Sequence, residues 1–115
     1  MRLTSEIWVS AYLRARNGKN KPSALMRRGA REAGAIYVRV DRLDGTHDLY
    51  QPASQFSYTQ DNVENGDRLF CISLRGVSTF DIMDKLEAEE KFDADFWVVD
   101  TECADGSHDL QVIEE

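Results

Sequence analysis

The sequence predicts an α+β domain, with two helices packed on one face of a mostly antiparallel sheet of five to six strands. Three observations carry that expectation. Segments 35–42 and 96–102 are strand-length runs of β-branched and aromatic residues. Ser78 opens an apolar-periodic stretch with the residues of a helix cap. Gly, Pro and two Asp-Gly pairs divide the rest into short segments. A chain of 115 residues, 42% hydrophobic, has the size and composition of a single domain over 1–115.

The first helix is expected from Ser5, as cap, through about Asn17, with Ile7, Trp8, Ala11, Tyr12 and Ala15 at helical spacing and Gly18 after its end. Ile7, Val9, Ala11, Leu13 and Ala15 also alternate, so an edge strand competes. Short strands are expected at 23–28 and 35–42, and Asp44-Gly45 turns the chain into a hairpin partner at 46–51. Residues 52–67 are polar and unpatterned, a long loop for so small a domain. A strand at 68–74 and the separator Gly76 follow.

In the second helix the Ser78 hydroxyl and Asp81 form an S-x-x-D capping box, Val77 and Ile82 stand at staple positions, and Ile82, Met83 and Leu86 are the buried stripe. Glu87 and Lys91 stand at ion-pair spacing on the outer surface. After 92–95, strands at 96–102 and 107–113 are expected to pair as a second hairpin. The expected core is Trp8, Ile36, Val38, Leu69, Phe70, Ile72, Ile82, Leu86, Trp97 and Val99. Cys71 and Cys103, without a C-x-x-C or a neighbouring His, read as two buried reduced thiols.

Chemical signatures fail one by one. Gly29 and Gly34 have the spacing of a phosphate loop, but Ala35-Ile36 stands where Lys-Ser/Thr is required. Asp61, Asn65 and Gly66 suit a calcium loop, yet Val63 and Ile72 fill positions that need oxygen ligands. Arg31-x-x-Gly34-Ala35-Ile36 comes within one residue of an acyltransferase pyrophosphate loop, but the sequence after it reads as strand. No Ser or Cys nucleophile has a recognisable setting, and no cofactor is expected. One internal echo stands out: Asp44-Gly45-Thr46-His47-Asp48-Leu49 recurs as Asp105-Gly106-Ser107-His108-Asp109-Leu110. It reads first as the same tight-turn chemistry used twice. If the two turns were adjacent, His47, Asp48, His108 and Asp109 would form a metal-ligand set, which is the lesser reading.

Charge is distributed unevenly. Residues 1–42 hold ten Lys/Arg against three Asp/Glu, and residues 43–115 hold four against eighteen, giving +7 and −14. Arg14, Arg16, Lys19, Lys21, Arg27, Arg28 and Arg31 fall within eighteen residues. Such a surface suits an acidic protein partner or a second copy of the chain, while the net charge of −7 argues against nucleic acid. No apolar run approaches the about 20 residues that cross a bilayer, and Met1-Arg2-Leu3-Thr4 leads into no signal-peptide core, so a cytoplasmic location without membrane attachment is expected.

Several blocks then stand in a specific order: Ile7-Trp8-Val9-Ser10-Ala11-Tyr12-Leu13-Arg14, Arg27-Arg28-Gly29, Ala33-Gly34-Ala35-Ile36, Arg42-Leu43-Asp44-Gly45-Thr46, Leu49-Tyr50 with Pro52-Ala53, and Lys91-Phe92-Asp93-Ala94-Asp95-Phe96-Trp97-Val98-Val99. Nearly end to end, the chain resembles the small bacterial family catalogued as domain of unknown function 1491. It departs from the family at Ala94, where a Pro is expected between the two aspartates. The resemblance implies a bacterial cytosolic single-domain protein and brings no catalytic residues. The functional expectation is therefore a non-enzymatic binding or protein-interaction module, with Arg14, Arg27, Arg28 and Arg31 as its anion- or partner-docking residues. The alternatives are a small enzyme, for example acyltransferase-like, with a site under the 52–67 loop, and a nucleic-acid or polyanion binder using the same basic face.

Overall fold

In a computed structural model describing residues 3–54 and 68–114, the chain runs α1 (Ser5–Gly18), β1 (Ser23–Arg27), β2 (Ala35–Asp41), β3 (His47–Pro52), β4 (Leu69–Val77), α2 (Thr79–Glu90), β5 (Phe96–Glu102) and β6 (Gln111–Val112). Of the expected 52–67 loop, residues 55–67 lie outside the described residues, as does most of the calcium-loop sequence. One six-stranded sheet has the order β1-β5-β2-β3-β4-β6. It is mixed: β1/β5, β2/β3 and β3/β4 pair antiparallel, whereas β2/β5 and β4/β6 pair in parallel. Phe96, Trp97, Val98 and Val99 are all buried, as a strand between two neighbours and covered on both faces requires.

The alternation along β2 and β5 assigns the two helices to opposite faces of the sheet, not to one. Ile36, Val38, Val40, Trp97 and Val99 pack with Trp8, Val9 and Tyr12 of α1. Tyr37, Leu49, Phe96 and Val98 pack with Ile82 and Leu86 of α2. Eight of the ten expected core residues are buried, and Ile72 and Leu86 pack half-buried against the two clusters. Both cysteines are free and buried.

Residues 5–18 form a helix because Trp8, Tyr12 and Arg16, four apart, give one buried stripe, which outweighs the alternation. Ile7 faces outward, 53% exposed. The cap is Thr4, whose hydroxyl accepts from the Ile7 amide at 3.3 Å. Ser5 is instead the first helical residue, and its buried hydroxyl donates to the Gly34 carbonyl at 2.7 Å. The orphan amides of Ser5 and Glu6 donate to the carbonyls of Glu32 and Arg31 at 3.0 and 2.9 Å, so the 29–34 loop finishes the helix end.

α2 carries the expected box: the Ser78 hydroxyl accepts from the Asp81 amide at 3.2 Å while the Asp81 carboxylate accepts from the Ser78 amide at 3.4 Å. Met83, placed in the buried stripe by its spacing, is 56% exposed, and the apolar side chains of the helix that pack on the sheet are Ile82 and Leu86. The ion pair formed on this helix is Lys85–Glu89 at 3.1 Å, not Glu87–Lys91. β4 continues past 74 to Val77 through an irregularity at Gly76, whose φ is 63° and whose amide donates to the Asp48 carboxylate at 2.8 Å.

The expected second hairpin does not form. β6 leaves β5 and pairs with β4 at the far edge of the sheet. Asp109, with a φ of 58°, redirects the chain, and Arg16 binds both the Ser107 carbonyl and the Asp109 carboxylate where a returning strand would have found a ladder.

Gly29 and Gly34, whose spacing mimics a phosphate loop, enclose the Trp97 indole instead. A Cβ on Gly29 would lie 2.6 Å from the Phe96 carbonyl carbon and 2.8 Å from Trp97 Cδ1; one on Gly34 would lie 2.9 Å from Trp97 Nε1. The indole N–H donates to the Ala30 carbonyl at 2.8 Å across that gap. Gly34→Ala is therefore expected to cost about 1–3 kcal/mol of stability in urea unfolding and to shift the Trp97 emission, the ordinary scale of core overpacking. Gly18→Ala, which meets nothing within 4 Å, serves as the control that leaves the emission unchanged.

Candidate functional site

The four expected docking arginines divide between the two sides of the sheet. Arg14 lies on the outer stripe of α1, two turns beyond Ile7, exposed and outside every ion pair among the described residues. Arg28 and Arg31 reach the same carboxylate, Glu6, at 3.1 and 3.4 Å, and stay 62% and 76% exposed. Arg28 also lies over the Trp97 ring, 5.1 Å from its centre. Arg27 points the other way. It pairs with Glu90 of α2 at 2.8 Å, donates to the Ala94 carbonyl and sits 4.2 Å over the Phe96 ring.

The two copies of the repeat fold as the same turn. Asp44 accepts from the Thr46 amide, and Asp105 from the Ser107 amide, both at 2.9 Å; Gly45 and Gly106 supply φ of 91° and 80°. These bonds hold the Asp105 carboxyl at about 2, the Cys103 thiol being its strongest partner. The turns are neighbours, bridged by Arg42, which donates to the Asp48 carboxylate at 3.2 Å and the Ala104 carbonyl at 3.3 Å. After the turns they diverge. β3 sends Asp48 to the α1 face, where it is buried against Arg42 and the Gly76 amide, and His47 to the α2 face. His108 packs at a tilt of 55° against Tyr50, ring centres 4.7 Å apart, and its Nδ1 accepts from the Leu110 amide at 2.9 Å. Asp109 binds Arg16 and Lys19 at 2.9 and 3.0 Å, which lowers its carboxyl below the usual range. Among the described residues no three His, Cys, Asp or Glu side chains meet as a metal-ligand group.

Arg16, which the sequence placed in a basic run, is buried at 1% exposure. Its Nε donates to the Thr101 hydroxyl, Nη1 to Asp109 and Nη2 to the Ser107 carbonyl, each at 2.9 Å. The signal was its place four residues after Tyr12 and eight after Trp8, on the apolar stripe. Tyr12 joins the same segment through a bond from its hydroxyl to the His108 carbonyl at 2.6 Å, and burial raises its phenol.

Two concavities complete the surface. A cavity of about 610 Å³ opens at the end of the sheet where α1 begins, lined by Thr4, Glu32, Pro52, Arg68, Phe70 and Asp93. Pro52 and Arg68 place it beside the segment that the enzyme alternative invoked. Thr4 caps α1, and Arg68 donates to the Leu3 carbonyl at 2.9 Å and the Ser5 hydroxyl at 3.2 Å. Its described lining holds no His or Cys and no nucleophile paired with a base. The Gly34-Ala35 sequence runs directly into β2, so no helix N-terminus stands behind the acyltransferase-like motif. The second concavity, about 220 Å³, is a groove between β1 and α2 with Arg39 and Asp100 in it. Burial raises the Asp100 carboxyl against the lowering effect of Arg39.

A mixed six-stranded sheet with one helix on each face, a buried guanidinium at its C-terminal end and charged surfaces outside defines a small α+β domain with no assembled catalytic group among the described residues. The model of the family described as protein of unknown function (DUF1491) matches residues 3–111, and the chain belongs to that family. Solved relatives agree. The solution structure of protein Atu0922 from A. tumefaciens is 36% identical, with a TM-score of 0.84, and the match covers 100% of this chain and 98% of that one. The crystal structure of a DUF1491 family protein from Caulobacter crescentus CB15 is 29% identical over 99% and 100% of the two chains, TM-score 0.77. An NMR structure of a DUF1491 family protein from the same organism is 31% identical over 99% of each, TM-score 0.76. No curated protein matches the chain. No helix among the described residues is long and apolar enough to cross a membrane.

Burial, with Arg16 adding to it, lowers the proton affinity of His108, and a proton on Nδ1 would end the bond from Leu110. The unfolded chain then takes up that proton first. The stabilising contribution of His108 is complete above about pH 6.5 and declines as pH falls below it. Urea titrations at pH 7 and pH 5 are expected to show a stability loss that His108→Asn reduces; an equal loss in both proteins contradicts this assignment.

Proposed function

We propose that this protein is a cytoplasmic, non-enzymatic interaction module that docks an acidic protein partner on the outer face of α1, with Arg14, Arg28 and Arg31 around the exposed Ile7. One observation carries the reading: Arg28 and Arg31 share a single carboxylate, Glu6, and Arg14 pairs with none among the described residues, so these four side chains keep an excess of two positive charges. Long-range attraction to an acidic surface follows from that excess, and Ile7 supplies apolar area at its centre. Arg27 is engaged by Glu90 on the opposite side of the sheet, so it contributes to holding β1 on α2 and not to docking.

Much of the positive charge elsewhere is paired inside the molecule. Arg16–Asp109, Arg27–Glu90, Arg39–Asp100 and Arg42–Asp48 each join the basic first part of the chain to its acidic remainder. A homodimer built on basic-to-acidic contact is the weaker reading. The excess cations lie outside α1, and the acids of α2 lie across the sheet, so such contacts run head to tail and open into chains instead of closing as a two-fold dimer. Nucleic acid is weaker still, because the aromatic rings of α1, Trp8 and Tyr12, are buried and offer no stacking platform.

The test is a pull-down from native cytosol with two variants. Arg14→Glu/Arg28→Glu/Arg31→Glu is expected to stay folded, since exposed charges change stability by only about 0.5 kcal/mol each, and to lose the partner. Arg27→Glu is expected to retain it. Capture that survives the triple reversal in a folded protein overturns the proposed face.

A further inference from the structure

On the α2 face, away from the proposed docking surface, the sheet is left open toward β1 in the groove of about 220 Å³. Its two walls are the edge strand and the helix. Met26 stands on the β1 wall, 58% exposed, and Leu86 on the α2 wall. Met83, three residues before Leu86 and seven before Glu90, lies on the same flank of the helix. Phe80, three residues earlier again, continues the strip outward at 71% exposure. Three large apolar side chains thus stand in water in and beside one concavity. A lone exposed hydrophobe needs no explanation, but a group of them rimmed by polar residues marks an interaction site.

Charge sets what fits there. Inside the groove it cancels: Arg39 pairs with Asp100 at the floor, and Arg27 with Glu90 at the rim. An ion brought between these matched pairs would lose its water and gain no partner. The groove therefore takes an uncharged group, and its volume, below the about 300–1,000 Å³ of sites for drug-sized ligands, suits one large apolar side chain. Outside the groove charge does not cancel. Residues 79–95 hold seven Asp/Glu against two Lys, and with Arg27 added to the cations an excess of four negative charges remains. Asp84 and Glu87, outward of Met83, and Asp93 and Asp95, beyond the helix end, are exposed and outside every ion pair among the described residues.

We infer that this groove, with Met83 and Phe80 beside it, docks a lysine- or arginine-rich segment of a partner protein that inserts one large apolar side chain between Met26 and Leu86. The acids of α2 attract the segment and fix its orientation, the anchor supplies the buried apolar area, and the unbranched methionines adapt to its shape. The assignment is independent of the α1 docking face, whose charge has the opposite sign.

Titration of the ¹⁵N-labelled protein with three synthetic helical peptides tests it: a lysine-rich peptide carrying one phenylalanine, the same peptide with alanine for that phenylalanine, and a glutamate-rich peptide that keeps it. The first is expected to shift the amide signals of Met26, Met83, Leu86 and Val98 saturably while leaving those of Ile7 and Arg28 in place, and the other two to bind about tenfold more weakly. Met26→Ser/Met83→Ser, at two exposed positions whose replacement leaves the fold intact, should abolish the response. Asp84→Lys/Glu87→Lys should erase the preference for the lysine peptide over the glutamate one. No saturable shift with the first peptide, equal shifts from all three, or a response unchanged in Met26→Ser/Met83→Ser overturns the proposal. So do signals of Met26 and Met83 that move with protein concentration alone, which would make a second copy of the chain the occupant.

Discussion

The structure depends on one buried cation. Arg16 leaves α1 from its apolar stripe and places three N–H donors on three residues of two pieces of chain: Thr101 in β5, and the Ser107 carbonyl and the Asp109 carboxylate in the segment after it. Removing a guanidinium from water costs several kcal/mol, and only near-complete pairing offsets that cost. The surrounding sequence supplies it. Ser23 donates to the same Thr101 hydroxyl at 2.7 Å, Lys19 shares Asp109, and the Lys19 and Lys21 amides donate to the Arg16 carbonyl at 3.0 Å. The first helix, the edge strand β1, the buried strand β5 and the C-terminal segment therefore meet around one side chain. The route of the last dozen residues across the sheet to β4 follows from this arrangement.

Because the helices cover opposite faces, the molecule has two dissimilar outsides. On the α1 side, the loop that seals the helix N-terminus with the Arg31 and Glu32 carbonyls also carries Arg28 and Arg31, so the element that completes the fold displays the positive charge. On the α2 side the helix covers only part of the sheet. Phe80, Met83 and Phe92 stay exposed, and the uncovered strip toward β1 is the groove that holds Arg39 and Asp100. The interior is occupied by packing: the Gly29 and Gly34 loop closes on Trp97, and the repeated Asp-Gly turns close on Arg42.

What was legible in the sequence was local. The Ser78–Asp81 box, the β-branched run of β2, the Asp44-Gly45 turn and the four consecutive apolar residues of β5 each depend on neighbours in the chain, and each forms as read. What was not legible depends on contacts far apart in sequence. Asp105-Gly106 has the same turn chemistry as Asp44-Gly45, yet only the first leads into a hairpin, because Arg16, more than eighty residues away, captures the chain after the second. The basic run likewise read as one surface. Arg14, Arg16, Arg27 and Arg28 are near in sequence, but helical and strand periodicity send Arg16 inward, Arg27 to α2 and the other two outward. Alternation along a strand does separate neighbours, and by it only one of Arg27 and Arg28 is expected on the docking surface. The pairing of Arg39 with Asp100 had no sequence signal at all, since it depends on which strand lies beside β2.

Native-state hydrogen exchange in Arg16→Met tests the central role of this arginine most directly. With three charge-assisted bonds removed, worth about 1 kcal/mol each in net terms, the amides of Gly106, Leu110 and Ile113 are predicted to exchange about a hundredfold faster, while those of Val38 and Val99 at the centre of the sheet keep most of their protection. Unchanged exchange at those three amides, or a loss spread evenly over the whole sheet, would contradict the account.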